Sequence, residues 1–119
     1  MVRATWNGVV LAQTGQPVLL EGNVYFPPGD VRHEHLVKTR AWSVCPWKGL
    51  ARYYTIRAGE RVNKNAAWYY PHPSPLARKI KNHVTFWNGV QVEETVSPAR
   101  RAHAGPTAAG PDPGPVARG

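Results

Sequence analysis

The sequence predicts a mainly β fold: hairpins and small antiparallel sheets, with one short α-helix at about residues 74–84. Two observations carry this reading. Turn signals recur roughly every eight to twelve residues, the rhythm of short strands. Between them lie short runs rich in aliphatic and aromatic side chains, and only one run shows apolar residues at helical spacing. A chain of 119 residues has room for one domain with a small core.

Taken in order, residues 4–6 and 9–11 flank Asn7-Gly8, a two-residue hairpin signal because both side chains tolerate positive φ. Residues 18–21 and 24–26 flank Gly22-Asn23 in the same way. Pro27-Pro28-Gly29-Asp30 then interrupts the chain. Residues 50–57, with two adjacent tyrosines, Thr55 and Ile56, read as the longest strand, and Ala58-Gly59 turns it back into 60–63. Near the end, residues 85–87 and 90–93 flank Asn88-Gly89. Trp6-Asn7-Gly8-Val9 and Trp87-Asn88-Gly89-Val90 are the same tetrapeptide, but their flanks do not match. Reuse of one good turn is a simpler account than a duplicated unit. The helical segment starts at Ser74 as a cap with Pro75 in the first position. Leu76, Ala77, Ile80 and Val84 fall on one face, and Arg78, Lys79 and Lys81 lie opposite.

The domain is expected to span residues 1–96. Beyond Val96 the composition collapses to Ser, Pro, Ala, Gly and Arg, with no aromatic residue. Such a stretch cannot offset its ordering entropy by burial, so 97–119 is expected to be a disordered tail. Of the net charge of +8, the tail carries +2 and residues 1–96 carry +6. Along the sequence those basic residues are dispersed, and only Arg78, Lys79 and Lys81 cluster. Dispersed charge reads as a solvated surface and argues against nucleic acid as a dedicated partner. There is no early apolar run, and the longest aliphatic stretch, residues 9–12, is far too short to cross a bilayer. Neither a secretory signal nor membrane insertion is expected. The single cysteine cannot form an internal disulfide, which agrees with a reducing compartment and a cytoplasmic location. The oligomeric state is open at this level.

The densest chemistry lies in Val44-Cys45-Pro46-Trp47-Lys48-Gly49, followed by Tyr53-Tyr54 and Trp68-Tyr69-Tyr70-Pro71. Cys45 is a candidate nucleophile if a cation lowers its thiol pKa; the plainer reading is a small apolar side chain. Lys48 is a candidate anion-binding or Schiff-base lysine; otherwise its stem lies along an indole with the ammonium in water. His72, between two prolines, is the acid–base candidate, set against an ordinary surface histidine. Trp47, Tyr54 and Trp68 are candidate walls of a ligand site, although a small core competes for the same rings. On a strand, one member of each adjacent tyrosine pair is expected in the core and the other outside or lining a groove.

No metal site or cofactor is predicted. His33 and His35 stand two apart without the paired spacing of zinc ligands. Glu93 and Glu94 are adjacent and point to opposite faces of a strand. There is no phosphate-cradling loop, no serine flanked by glycines and no Asp-x-Asp pair.

Several blocks together resemble the domain-of-unknown-function 427 family. They are Trp6-Asn7-Gly8-Val9-Val10-Leu11-Ala12, Glu21-Gly22-Asn23 with Tyr25-Phe26-Pro27, and Cys45-Pro46-Trp47-Lys48-Gly49-x-Ala51-x-Tyr53-Tyr54. Asn65-Ala66-Ala67-Trp68-x-Tyr70-Pro71 and Phe86-Trp87-x-Gly89-Val90 complete the set. The resemblance covers nearly all of residues 1–96 and implies a compact, prism-like arrangement of hairpins and small sheets with one helix. It implies no established activity. A nucleotidyltransferase label travels with the family, and this chain lacks the acidic metal-binding pair that label calls for. Val24 departs from many similar sequences, which carry histidine there. The functional expectation is a small domain that binds or acts on a small molecule. Cys45, Lys48 and His72 would supply the chemistry, with Trp47, Tyr54 and Trp68 around the ligand. A structural or protein-interaction module is the first rival, and weak nucleic-acid binding the second.

Overall fold

The structure is a computed structural model and describes residues 1–94. The expected tail at 97–119 lies outside the described residues. Nine strands are present among them: β1 (Val2–Trp6), β2 (Val9–Thr14), β3 (Val18–Leu20), β4 (Asn23–Tyr25), β5 (Leu36–Cys45), β6 (Gly49–Ala58), β7 (Arg61–Tyr69), β8 (Val84–Phe86) and β9 (Gln91–Glu94). They form three antiparallel groups: β2-β1-β9, β3-β4 and β5-β6-β7-β8. The fold is mainly β, as the sequence predicts.

The four-stranded sheet is the centre of the molecule because it is covered on both faces. Successive residues on a strand point to opposite sides. On β6, Tyr54 and Ile56 face a core shared with Ala4 of β1, Leu11 and Ala12 of β2 and Val92 of β9. Ala51 and Tyr53 face a second core, made with Tyr25 of β4, Trp68 and Tyr70, and with Ala77 and Ile80 beyond β7. Tyr53 and Tyr54 are therefore both buried, one in each core. The expectation that one of them would be exposed or line a groove fails, because it assumed a sheet with a solvent face. Tyr69 and Tyr70 come closer to it: Tyr70 is buried in the second core and Tyr69 half-buried against the first.

Three local readings are corrected. The predicted α-helix is a 3₁₀ segment, Pro75–Ile80, interrupted at Ala77, whose φ of −116° is not helical. Ala77 and Ile80 are buried, but Leu76 is exposed and Val84 belongs to β8. Six residues are too few to sustain an α-helix, and the segment needs only enough turn to lay two side chains on the core. The second hairpin turns one residue earlier than expected, at Glu21-Gly22, with φ of +55° and +82°, and Asn23 already pairs in β4. The third turn is shifted the other way, to Gly59-Glu60, since Ala58 pairs with Arg61. The ten-residue strand β5 has no counterpart among the predicted strands; Lys38 and Arg40 hide its alternation.

The two Trp-Asn-Gly turns have different jobs. Asn7-Gly8 closes the β1–β2 hairpin. Asn88-Gly89 carries the chain from the four-stranded sheet to the other layer, where β9 pairs with β1 rather than with β8. Both glycines have positive φ, +75° and +93°. Replacing Gly8 or Gly89 with valine is expected to destabilise by about 1–2 kcal/mol or more, because a β-branched residue is strained there. Gly29→Ala, at a position without positive φ or near neighbours, should stay within about 0.5 kcal/mol in the same urea denaturation series.

Candidate functional site

The Cys-Pro-Trp-Lys-Gly stretch is the connection between β5 and β6. Cys45 pairs with Gly49, so Pro46, Trp47 and Lys48 form a three-residue turn. Gly49 is needed twice over. Its φ is +119°, and a Cβ there would stand 3.3 Å from the His72 carbonyl oxygen. That contact belongs to a close seam between this turn and residues 70–74. Ser74 closes the seam: its backbone N–H donates to the Lys48 carbonyl at 2.9 Å, and its hydroxyl donates to the Trp47 carbonyl at 2.6 Å. Ser74 thus caps no helix. It anchors the lysine turn.

A third segment completes the arrangement. The Glu21 carboxylate, at the tip of the β3–β4 turn, receives the Lys48 ammonium on Oε1 and the Trp47 indole N–H on Oε2, the latter at 3.1 Å. The Lys48 nitrogen also stands 5.6 Å from the Trp47 ring centre and 5.5 Å from that of Tyr70, within range of cation–π attraction. Lys48 has no solvent exposure at all, whereas the Glu21 side chain is 38% exposed. The reading that leaves the Lys48 ammonium in water fails: the ammonium is sealed inside, and its carboxylate partner forms the lid.

The predicted site residues divide between two faces of the sheet. Cys45 and Trp47 are half-buried against the second core, and Trp68 is buried within it, 6.4 Å from the Tyr53 ring. His72 is exposed, on the segment that Ser74 fastens to the lysine turn. Tyr54 lies on the opposite face, stacked on Tyr69 at 4.7 Å in the first core. Tyr54 and Trp68 therefore do not line one wall. Burial, followed by the nearby Tyr69, raises the Tyr54 phenol above its ordinary pKa.

Glu21, Tyr70 and Ser74 were missed as members of this group. What marks Glu21 out is its backbone, not its sequence: the other non-glycine residues at positive φ among those described are all asparagines. A glutamate in that conformation, next to glycine, is out of place for the turn alone. Elsewhere, a cleft of about 330 Å³ opens between the two Trp-Asn-Gly turns, lined by Thr5, Trp6, Asn7, Gly8, Arg61, Gly89 and Gln91. It contains none of the predicted site residues. Among the described residues, no three His, Cys, Asp or Glu side chains are grouped to hold a metal ion. No described helix is long and apolar enough to cross a membrane.

Three small antiparallel sheets folded around two aromatic cores and a buried lysine define a small β domain. The chain belongs to the family described as a domain of unknown function, DUF427, whose model matches residues 1–97. Comparison with curated proteins finds no match.

Two outcomes test this geometry. Glu21→Gln keeps the size of the side chain but removes its charge, and should destabilise by about 1–3 kcal/mol, since a buried ammonium loses its counter-ion. Lys48→Met, which removes the buried charge itself, should be within about 1 kcal/mol of wild type in the same urea titration. For Tyr54, a raised folded pKa means that stability is complete below the ordinary phenol value and falls as pH rises through the folded one. The melting temperature should drop above about pH 10, and Tyr54→Phe should blunt that drop.

Proposed function

We propose that this domain binds a small anionic molecule, a carboxylate or phosphate, at the Lys48–Trp47 pair. One observation carries the reading. Lys48 Nζ and Trp47 Nε1 donate to different oxygens of one carboxylate, which is the geometry of a two-pronged anion receptor. The present occupant is the chain's own Glu21, held at the tip of a two-residue turn in a left-handed conformation. Left-handed backbone costs a glutamate about 1–2 kcal/mol relative to glycine, so the lid sits under strain. A ligand anion that takes the place of the Glu21 carboxylate would inherit the desolvated ammonium, both ring faces and the indole N–H. Cys45 and His72 belong to the two segments joined by Ser74, and they are the groups available to act on such a ligand.

The rival is a purely structural clamp, and the complete burial of Lys48 favours it. Glu21→Gly separates the two, because it removes the occupant and relaxes the turn together. With acetate or inorganic phosphate as the probe, the Glu21→Gly protein should gain melting temperature with concentration. The Trp47 indole N–H resonance should shift over the same range, and neither change should occur in Glu21→Gly/Lys48→Met. Identical responses in the single and double variants would leave Lys48 as a clamp and refute the receptor.

A further inference from the structure

The face of the central sheet that carries the first core is not covered along its whole length. Where β5 and β6 run beyond the three-stranded layer, Trp42, Val44 and Leu50 are 47%, 49% and 41% exposed. The pairing register places Trp42 opposite Arg52, and Arg52 opposite Tyr69, so the three residues share one row across three strands, and the Arg52 guanidinium donates to the Thr39 carbonyl at 3.5 Å. Tyr69 is half-buried and itself stacks on Tyr54, which stiffens that end of the row. Lys38 and Arg40 are exposed on β5 beside it.

The charges around this row are segregated in a way the linear sequence conceals. Strands β5, β6 and β7 contain six basic residues and no acidic one. Between residues 36 and 92 there are ten lysines and arginines against a single carboxylate, Glu60. Of the other carboxylates among the described residues, Glu21 is at the β3–β4 turn, Asp30 and Glu34 are in the 3₁₀ turns after β4, and Glu93 and Glu94 are on β9. Lys48 is inside, committed to Glu21. On that sheet the one carboxylate among the described residues is Glu60, in the β6–β7 turn beside Arg61; the strands that carry Lys38, Arg40 and Arg52 have none.

We infer that this face binds single-stranded nucleic acid, with bases stacking on Trp42 and along the Trp42–Arg52–Tyr69 row, and phosphates meeting Lys38, Arg40 and Arg52. The reasoning rests on complementarity. An exposed indole flanked by aliphatic side chains offers a platform for any base. An arginine in the same row as two rings can serve both stacking and phosphate contact. A second copy of this chain is a poor occupant, since it would bring an equally basic face. Self-pairing along the β5 edge is opposed by the same charges and by the irregular register between Lys38 and Trp42. Duplex is also a poor occupant, because its bases are already stacked on one another. This inference is independent of the anion receptor at Lys48, whose amine is sealed on the other side of the sheet.

The test is fluorescence anisotropy of a labelled twelve-residue oligothymidylate titrated with the full chain, from low to moderate salt. Binding should weaken with salt, as phosphate contacts release counter-ions. Trp42→Ala should weaken it by about 5- to 100-fold, the loss expected from removing one stacking ring. Trp42→Phe should retain most of the affinity, and Arg52→Gln should both weaken binding and flatten the salt dependence. Because Trp42 is half exposed, its variants should keep the wild-type melting temperature, which serves as the folding control. Absence of binding at low salt would overturn the inference. So would equal affinity for a duplex of the same length, or an unchanged affinity in Trp42→Ala, since either reduces the effect to general attraction. Light scattering that shows a dimer dissociating on Trp42→Ala would assign the face to a second copy instead.

Discussion

The Lys48–Glu21 pair is the interaction on which the arrangement of this domain's segments depends. Taking an ammonium out of water is among the most unfavourable steps in folding, and it is tolerated only where the charge is matched. Here the match comes from three separate parts of the chain: a carboxylate from the β3–β4 turn, the indole beside the lysine, and the Tyr70 ring that follows β7. None of the three is a sequence neighbour of the others. The pair therefore specifies how the short hairpin, the β5–β6 connection and the 70–74 segment meet, and Ser74 repeats the constraint through the backbone. Because one partner is sealed and the other faces water, the two halves of the pair have unequal roles. The lysine is fixed by what surrounds it, and the glutamate is held in place by the lysine and the Trp47 indole N–H, against a turn conformation that suits glycine better.

Coverage of both faces of one sheet explains how so small a domain uses so many rings. Strand β6 sends Tyr53 and Tyr54 to opposite cores, and β4 with its continuation does the same with Tyr25 and Phe26. Each ring finds packing partners from a different layer: Phe26 meets Phe86 edge-on at 5.6 Å, and Tyr53 lies against Trp68. With the interior filled in this way, the polar and open features of the domain are left to the seams where layers end. The lysine turn is one such seam. The uncovered part of the β5–β6 face is another, and the cleft between the two Trp-Asn-Gly turns is a third.

The two proposed recognition surfaces use positive charge in opposite ways. At Lys48 a single cation is desolvated and made selective by its fixed surroundings. On the β5–β6 face several cations remain in water around an exposed indole, so each is weak alone and their sum depends on ionic strength. The first arrangement suits a small ligand that fits, and the second suits a polymer with repeated charge.

The mainly β class, the Asn7-Gly8 turn and the β6 strand were legible in the sequence because they depend on local chemistry: residues that accept positive φ, and β-branched or aromatic runs between them. Family membership was legible in the Cys-Pro-Trp-Lys-Gly and Ala-Ala-Trp-Tyr-Tyr blocks. Of the candidate site, the sequence pointed to Cys45, Trp47 and Lys48 through their density alone. It left Glu21 unassigned because a separation of 27 residues carries no local signal. What only the tertiary structure decided was partnership and side. Strand β9 joined β1, a free edge at the far end of the chain, instead of its neighbour β8. Tyr54 and Trp68 came to rest on opposite faces, because the register between β6 and β7, not their proximity in sequence, sets the direction of each ring. Lys48 was buried for the same reason. Local chemistry favours a lysine in water, and only the arrival of a carboxylate and the Tyr70 ring from distant segments, beside its own neighbour Trp47, makes the interior tolerable for it.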